Sequence, residues 1–168
     1  MFSEIIDFGS CCEENKKIDF LYEIFKTDFI DNQVYLENIF IDPKTNEQED
    51  NKEQIFWHII TRKDTNKKTR DFDKERACRI KWIKSIIENY TKAEIKCFYY
   101  FEQSKKIRLY LWLHNYNFAV ILQKLGKSSS YLVTSFYIDN QKKIDVFLKK
   151  FEDYTNKKDV RLNNCEWF

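Results

Sequence analysis

The sequence predicts an α+β fold, in which N-terminal helices precede a four-stranded antiparallel meander sheet and a C-terminal helix. Apolar residues recur at helical spacing in the first half of the chain, alternate with polar residues along four later segments, and return to helical spacing near the C-terminus. The connections between the four alternating segments are short and polar, which favours antiparallel pairing of consecutive strands.

The N-terminal part contains a predicted helix, a strand and a loop. Apolar residues at i, i+3, i+4 and i+7 predict a helix over residues 18–30. Residues 34–41 are rich in strand formers and precede Asp42 and Pro43, so we expect a strand that ends in a turn. Residues 46–52 are polar and acidic, and we expect a solvated or disordered loop there.

The strongest local excess of basic residues lies between positions 62 and 84. Residues 63–70 contain no apolar side chain and predict a flexible basic loop, followed by a helix that Asp71 or Asp73 caps and that ends near Tyr90. Arg76 and Arg79 fall on the apolar side of this helix and should point inward. They either bind phosphate, or they reach out to solvent or pair with buried acids.

The predicted strands cover residues 96–101, 107–113, 118–122 and 131–138. On the second strand Arg108, Tyr110 and Trp112 share one face, which we expect to be open, while the opposite apolar face packs on helices. A helix capped by Asp139 or Asn140 follows. The tail ends in apolar residues that can dock back onto the domain.

Length and composition predict one main domain over residues 55–154, with an N-terminal arm over 1–54 that packs on it and a C-terminal tail over 155–168. The formal net charge of +2 gives no whole-protein attraction to nucleic acid. The odd number of cysteines, without regular spacing, predicts free thiols in a reducing compartment. We expect a cytoplasmic protein without a signal peptide or a membrane partner, because no apolar run is long enough for either role.

The histidine His58 stands between bulky apolar residues, four positions before Arg62. It is either a histidine that caps the core or a proton-transfer group for an anionic substrate. The two glycines provide no phosphate-binding glycine-rich loop, and no Cys and His residues have zinc-ligand spacing. We therefore expect neither a metal ion nor an organic cofactor.

Cleavage of RNA without a metal needs a group that moves the 2′-hydroxyl proton, a group that protonates the leaving oxygen, and cations or hydrogen-bond donors for the phosphate. His58 can move a proton, the hydroxyls of β-strand residues can donate to the phosphate, and Trp112 can stack on a base. The candidate phosphate ligands are Arg62, Arg76, Arg79, Arg108, Thr134, Ser135 and Tyr137. Ordinary packing remains the alternative for each, and strand alternation puts Thr134 and Tyr137 on opposite faces unless a bulge intervenes.

Residues 57–62 (Trp-His-Ile-Ile-Thr-Arg), 76–82 (Arg-Ala-Cys-Arg-Ile-Lys-Trp) and 132–137 (Leu-Val-Thr-Ser-Phe-Tyr) resemble the phage-associated branch of the BECR-fold nucleases, the barnase, EndoU, colicin and RelE-like group. The resemblance covers about residues 55–151. It implies helices before a four-stranded antiparallel sheet and a metal-independent ribonuclease toxin, with RNA as substrate and an antitoxin or immunity protein as partner. It also implies catalytic roles for His58, Arg62, Thr134 and Tyr137, with Arg79 and Arg108 in support.

Two other functions fit the same residues. The chain can be a catalytically silent module that binds RNA or protein through its aromatic face and basic segment. It can also be an accessory protein of a phage or mobile element with a purely structural role.

Overall fold

The protein, described by a computed structural model over residues 2–9, 13–64 and 66–167, has an α+β fold built on a six-stranded sheet. The helices are α1 (Glu14–Phe25), α2 (Gln54–Ile60), α3 (Lys74–Ala77), α4 (Ile80–Glu88) and α5 (Gln141–Thr155). The strands are β1 (Tyr35–Leu36), β2 (Ile39–Asp42), β3 (Gln48–Glu49), β4 (Lys52–Glu53), β5 (Thr61–Lys63), β6 (Arg70–Phe72), β7 (Ile95–Phe101), β8 (Ile107–Leu113), β9 (Phe118–Lys124) and β10 (Ser129–Tyr137). A π-helical turn (Lys26–Ile30) continues α1, and 3₁₀ turns cover His114–Tyr116 and Val160–Leu162.

The main sheet has the order β1-β2-β10-β9-β8-β7 and is mixed. Strands β7 to β10 pair as antiparallel neighbours, but β2 joins β10 in parallel, with Phe40 opposite Ser129. The prediction of a four-stranded antiparallel meander is therefore wrong. Parallel strands cannot be joined by a short turn, so the partner of β10 comes from a distant part of the chain. The short connections visible in the sequence therefore do not reveal this pairing.

The predicted single strand over residues 34–41 is also wrong, because a turn divides it into the antiparallel pair β1 and β2. Glu37 adopts a left-handed backbone conformation, φ 53°, in this turn. Leu36 and Ile39 are both buried on either side of it. Apolar residues alternate with polar ones along a strand, and this alternation breaks between Leu36 and Ile39 because the turn occupies the two residues between them.

Two segments that we expected to be loops form small hairpins. Residues 46–52 contribute to the pair β3 and β4. The basic segment 63–70 connects β5 with β6, and its two end residues, Lys63 and Arg70, pair with each other. The helix expected to reach Tyr90 is divided into α3 and α4 at Cys78 and Arg79. Asp73 caps α3 by accepting from the Arg76 amide, and Asn140 caps α5, so one of the two candidate caps is used in each case.

Helices cover both faces of the sheet. On one face Leu109, Leu111 and Val120 pack in the same core as buried residues of α1, α2 and α4. On the other face Tyr110 and Trp112, only 5% and 1% exposed, pack with α5. The expectation of an open aromatic face is wrong, because the apolar stripe of α5 covers it.

The C-terminal tail docks on the outer strand of the sheet, as predicted. The main-chain N–H of Trp167 donates to the Tyr99 hydroxyl at 2.9 Å. Cys78, Cys97 and Cys165 are free thiols, whereas Cys11, Cys12 and Phe168 lie outside the described residues. None of the helices in the described part of the chain is long and apolar enough to cross a membrane.

Candidate active site

The C-terminal end of α2 packs against β10 where that strand lacks a second neighbour. Strand β2 pairs only with residues 129–131 of β10, so among the described strands none flanks residues 133–137 on that side. A register shift between Leu132 and Thr134 marks a β-bulge at Val133. Bulges re-aim main-chain and side-chain groups next to a strand edge, and this bulge lies beside His58 of α2.

His58 is half-buried, and its ring forms a hydrogen bond with the main chain of Val133. Burial lowers the pKa of His58 from its ordinary value, and the positive charge of Arg70 lowers it further. The charge of Glu49 and the Val133 bond act in the opposite direction. The effects that lower the pKa of His58 outweigh those that raise it, so the ring is neutral near pH 7 and can accept a proton.

Two arginines lie at the end of α2, next to His58. Arg76 donates from Nη1 to the main-chain oxygens of His58 and Thr61, at 3.3 and 3.0 Å. Arg70 donates to the hydroxyl and to the main-chain oxygen of Thr61, at 2.8 and 3.2 Å. The last carbonyls of a helix lack partners within it, so both guanidinium groups cap α2 and are held beside His58 by the same contacts.

Arg62 also reaches this region and, like Arg76, pairs with Asp73. Its Nε lies 3.0 Å from Asp73 and its Nη1 lies 3.2 Å from Asp139. Asp73 also pairs with Arg76 at 3.3 Å, and Asp139 pairs with Lys143 at 2.7 Å. Arg62 is thus the centre of an ion-pair network, and it lines a cleft of about 490 Å³ that Asp73 and Asp139 also line.

The hydroxyl residues of β10 are divided between the two faces of the sheet. The Thr134 hydroxyl lies 3.4 Å from the main-chain oxygens of both His58 and Ser135, so it is the β10 hydroxyl brought to the histidine. Ser135 is fully buried, and its hydroxyl oxygen has no hydrogen-bond partner among the described residues. Tyr137 lies under the guanidinium of Arg79, which is 4.5 Å from its ring centre. The bulge precedes Thr134 and leaves Thr134 and Tyr137 on opposite faces.

Three predicted substrate-binding residues do not lie with His58. Arg79 is buried and donates to the carboxylate of Glu75, an exposed residue, at 2.8 Å. Arg108 donates to Gln123 at 3.3 Å, on β9. Trp112 is covered by α5 and cannot stack on a base in this structure.

Sequence reasoning missed Arg70 and Glu49. Arg70 belongs to the segment that we expected to be a flexible loop, and only its pairing with Lys63 brings it back to Thr61. Glu49 is held near α2 because the Trp57 indole donates to the Glu49 main-chain oxygen at 2.8 Å. The basic excess of the segment is a weak signal for Arg70, and no pattern in the sequence indicates Glu49.

The arrangement therefore combines one proton acceptor, two fixed cations and one hydroxyl where α2 packs against the edge of β10. Guanidinium groups beside a neutral imidazole can hold an anion such as a phosphate diester next to a base. Comparison of the chain with protein-family models, with curated proteins and with solved structures gives no match. The resemblance to the BECR-fold nucleases therefore remains a prediction.

Proposed function

We propose that the protein is a cytoplasmic, metal-independent endoribonuclease that cleaves RNA by attack of a 2′-hydroxyl on the adjacent phosphate. The observation that supports this proposal is that Arg70 and Arg76 both bind the end of α2 beside His58, where α2 packs against the edge of β10. A base that removes the 2′-hydroxyl proton and cations that bind the phosphate are two of the three groups that this reaction uses.

In the proposed reaction the neutral ring of His58 accepts the 2′-hydroxyl proton as the 2′-oxygen bonds to phosphorus. The bond from phosphorus to the 5′-oxygen breaks, and that oxygen takes a proton from solvent. Arg70 and Arg76 bind the phosphate oxygens, on which negative charge accumulates in the transition state. Thr134 donates a hydrogen bond to the same phosphate.

The reaction products test this mechanism. Purified protein incubated with single-stranded RNA in EDTA should yield fragments with 2′,3′-cyclic phosphate and 5′-hydroxyl ends. Fragments with 3′-hydroxyl and 5′-phosphate ends would contradict it, because attack by the 2′-oxygen cannot produce them.

The second candidate is a catalytically silent module that binds RNA. It is favoured by the hydrogen bonds that already engage the His58 ring and the Thr134 hydroxyl with main-chain groups. Binding of RNA without any fragments, retained in His58→Asn and weakened in Arg70→Gln, would select this function over the nuclease.

From the resemblance to nuclease toxins we further propose that the ribonuclease acts as a toxin held inactive by an antitoxin or immunity protein. Induced expression in a bacterium should arrest growth with the wild-type chain and not with His58→Asn. Equal growth of both strains at equal protein levels would contradict the toxin role.

A further inference from the structure

An apolar cleft lies next to the candidate active site, on the α5 side of the sheet. Its volume is about 360 Å³, and it is lined by Phe136, Asn140, Lys142, Lys143, Val146 and Phe147. The rings of Phe136 and Phe147 have centres 5.8 Å apart at an interplanar angle of 85°, so they pack edge to face and together form the apolar base of the cleft. Small-molecule groups bind in clefts of this kind, which combine apolar walls with a few polar groups at the rim.

Phe136 connects the cleft with the candidate active site. Strand alternation puts Phe136 and Thr134 on one face of β10, about 7 Å apart along the strand. The Arg76 guanidinium that caps α2 also lies 5.7 Å from the centre of the Phe136 ring. A ligand whose phosphate contacts Arg76 therefore has its next group within reach of the cleft.

The charges at the rim favour a polyanion as the ligand. Lys142 and Lys143 stand at the mouth of the cleft on the first turn of α5, and Lys143 is tied to the Arg62 network through Asp139. Lys142 is exposed. Apolar walls between cationic groups match a nucleotide, whose base is flat and apolar and whose phosphates are anionic.

We propose that the cleft lined by Phe136, Val146 and Phe147 binds an unpaired nucleobase of the RNA, adjacent to the phosphate held at His58. This inference rests on the proposed function for the identity of the ligand. It predicts that the substrate is single-stranded around the cleaved bond, since a paired base cannot enter the cleft.

Binding of two short oligonucleotides of equal charge tests the inference. One is a single-stranded 2′-O-methyl oligouridine, in which the blocked 2′-oxygen prevents cleavage, and the other has the same backbone without bases. Fluorescence anisotropy should show that the wild-type chain binds the base-containing oligonucleotide roughly tenfold more tightly. Val146→Asp should abolish this preference, because it introduces a carboxylate at an exposed position of the wall without removing a core side chain.

Val160→Asp is the matched control. Val160 is 75% exposed, and its 3₁₀ turn packs on β7 at the opposite edge of the sheet. It adds the same charge, so it should leave the preference for bases unchanged. A preference that survives in Val146→Asp, or disappears equally in Val160→Asp, overturns the assignment of the cleft.

The outcome can be separated from that of the nuclease proposal. Equal affinity of the wild-type chain for both oligonucleotides, or no binding of either, overturns the assignment of the cleft to a base, whatever the result of the cleavage assay. An apolar side chain of a partner protein is then the alternative occupant of the cleft. A clear preference for bases in a chain that cuts no RNA supports the cleft and contradicts the nuclease.

Discussion

Arg76 donates a hydrogen bond from Nη1 to the main-chain oxygen of His58 at 3.3 Å, so the candidate base and the candidate phosphate ligand are held by one contact. The same guanidinium binds the oxygen of Thr61 and pairs with Asp73. The end of α2, the start of α3 and the edge of β10 are therefore joined through one side chain. Substitutions of the residues around this contact therefore test the stability of the fold by unfolding and the chemistry of the site by the titration of His58.

Replacing Arg76 by Gln should destabilise the fold by about 1 to 3 kcal/mol, because partly buried carbonyls of α2 and the Asp73 carboxylate lose a charged partner. The free energy of unfolding in urea measures this loss. Lys16→Gln is the control, since Lys16 is exposed and pairs with the equally exposed Glu13 three residues before it, and its effect should stay within about 0.5 kcal/mol. Equal effects of the two substitutions would contradict the role of Arg76.

Replacing Arg70 by Gln should raise the pKa of His58 toward its ordinary value of 6.5, because the positive charge of Arg70 is one cause of the lowered pKa. Burial remains and should keep part of the shift. The ring proton signals of the two histidines, assigned with His114→Asn, report the titration by NMR. Arg108→Gln should leave the pKa of His58 unchanged, and an unchanged or lower pKa in Arg70→Gln would show that Arg70 does not act on the ring.

The lowered pKa of His58 also predicts how stability depends on pH. In the unfolded chain the histidine binds protons at a pKa of about 6.5, above its pKa in the folded chain, so the unfolded state binds more protons between the two values. The contribution of His58 to stability is therefore present above pH 6.5 and is lost as the pH falls through that window toward the lower folded pKa. The free energies of unfolding of wild type and His58→Asn, measured in urea, should converge or cross as the pH falls. Parallel dependences on pH would contradict the lowered pKa of His58.

Replacing Trp112 by Ala should destabilise the protein by about 3 to 5 kcal/mol, since the indole is 1% exposed and packs against α5. Tyr116→Ala, at a position 54% exposed, is the control for loss of an aromatic ring. Thermal or urea unfolding measures both. A Trp112→Ala protein of normal stability that fails to bind RNA would restore the base-stacking role expected from the sequence.

Patterns within a single segment predict this fold better than relationships between distant segments. The alternation along residues 107–113 gives β8 with the bounds that the structure has, and Asp73 and Asn140 are recognisable as caps. The parallel pairing of β2 with β10 joins segments far apart in the chain, and no local period encodes it.

The same limit explains the errors at the site. The apolar stripe that predicts α5 does not say which face of the sheet it covers, so Trp112 looks accessible in the sequence although it is buried. His58, Arg76 and Thr134 are predicted candidates that lie together, because the helix end and the strand edge meet there. Arg70 and Glu49 reach the site through hairpins whose strands have two or three residues, too short for a recognisable alternation.

Cleavage of single-stranded RNA in EDTA by wild type and His58→Asn tests the central claim most directly. The wild-type chain should produce fragments, and loss of the proton acceptor should slow their formation by about a hundredfold to ten-thousandfold. His114→Asn, which removes the other histidine of the chain, should cleave at the wild-type rate. Equal rates of cleavage by wild type and His58→Asn, or no cleavage by either, would contradict the account.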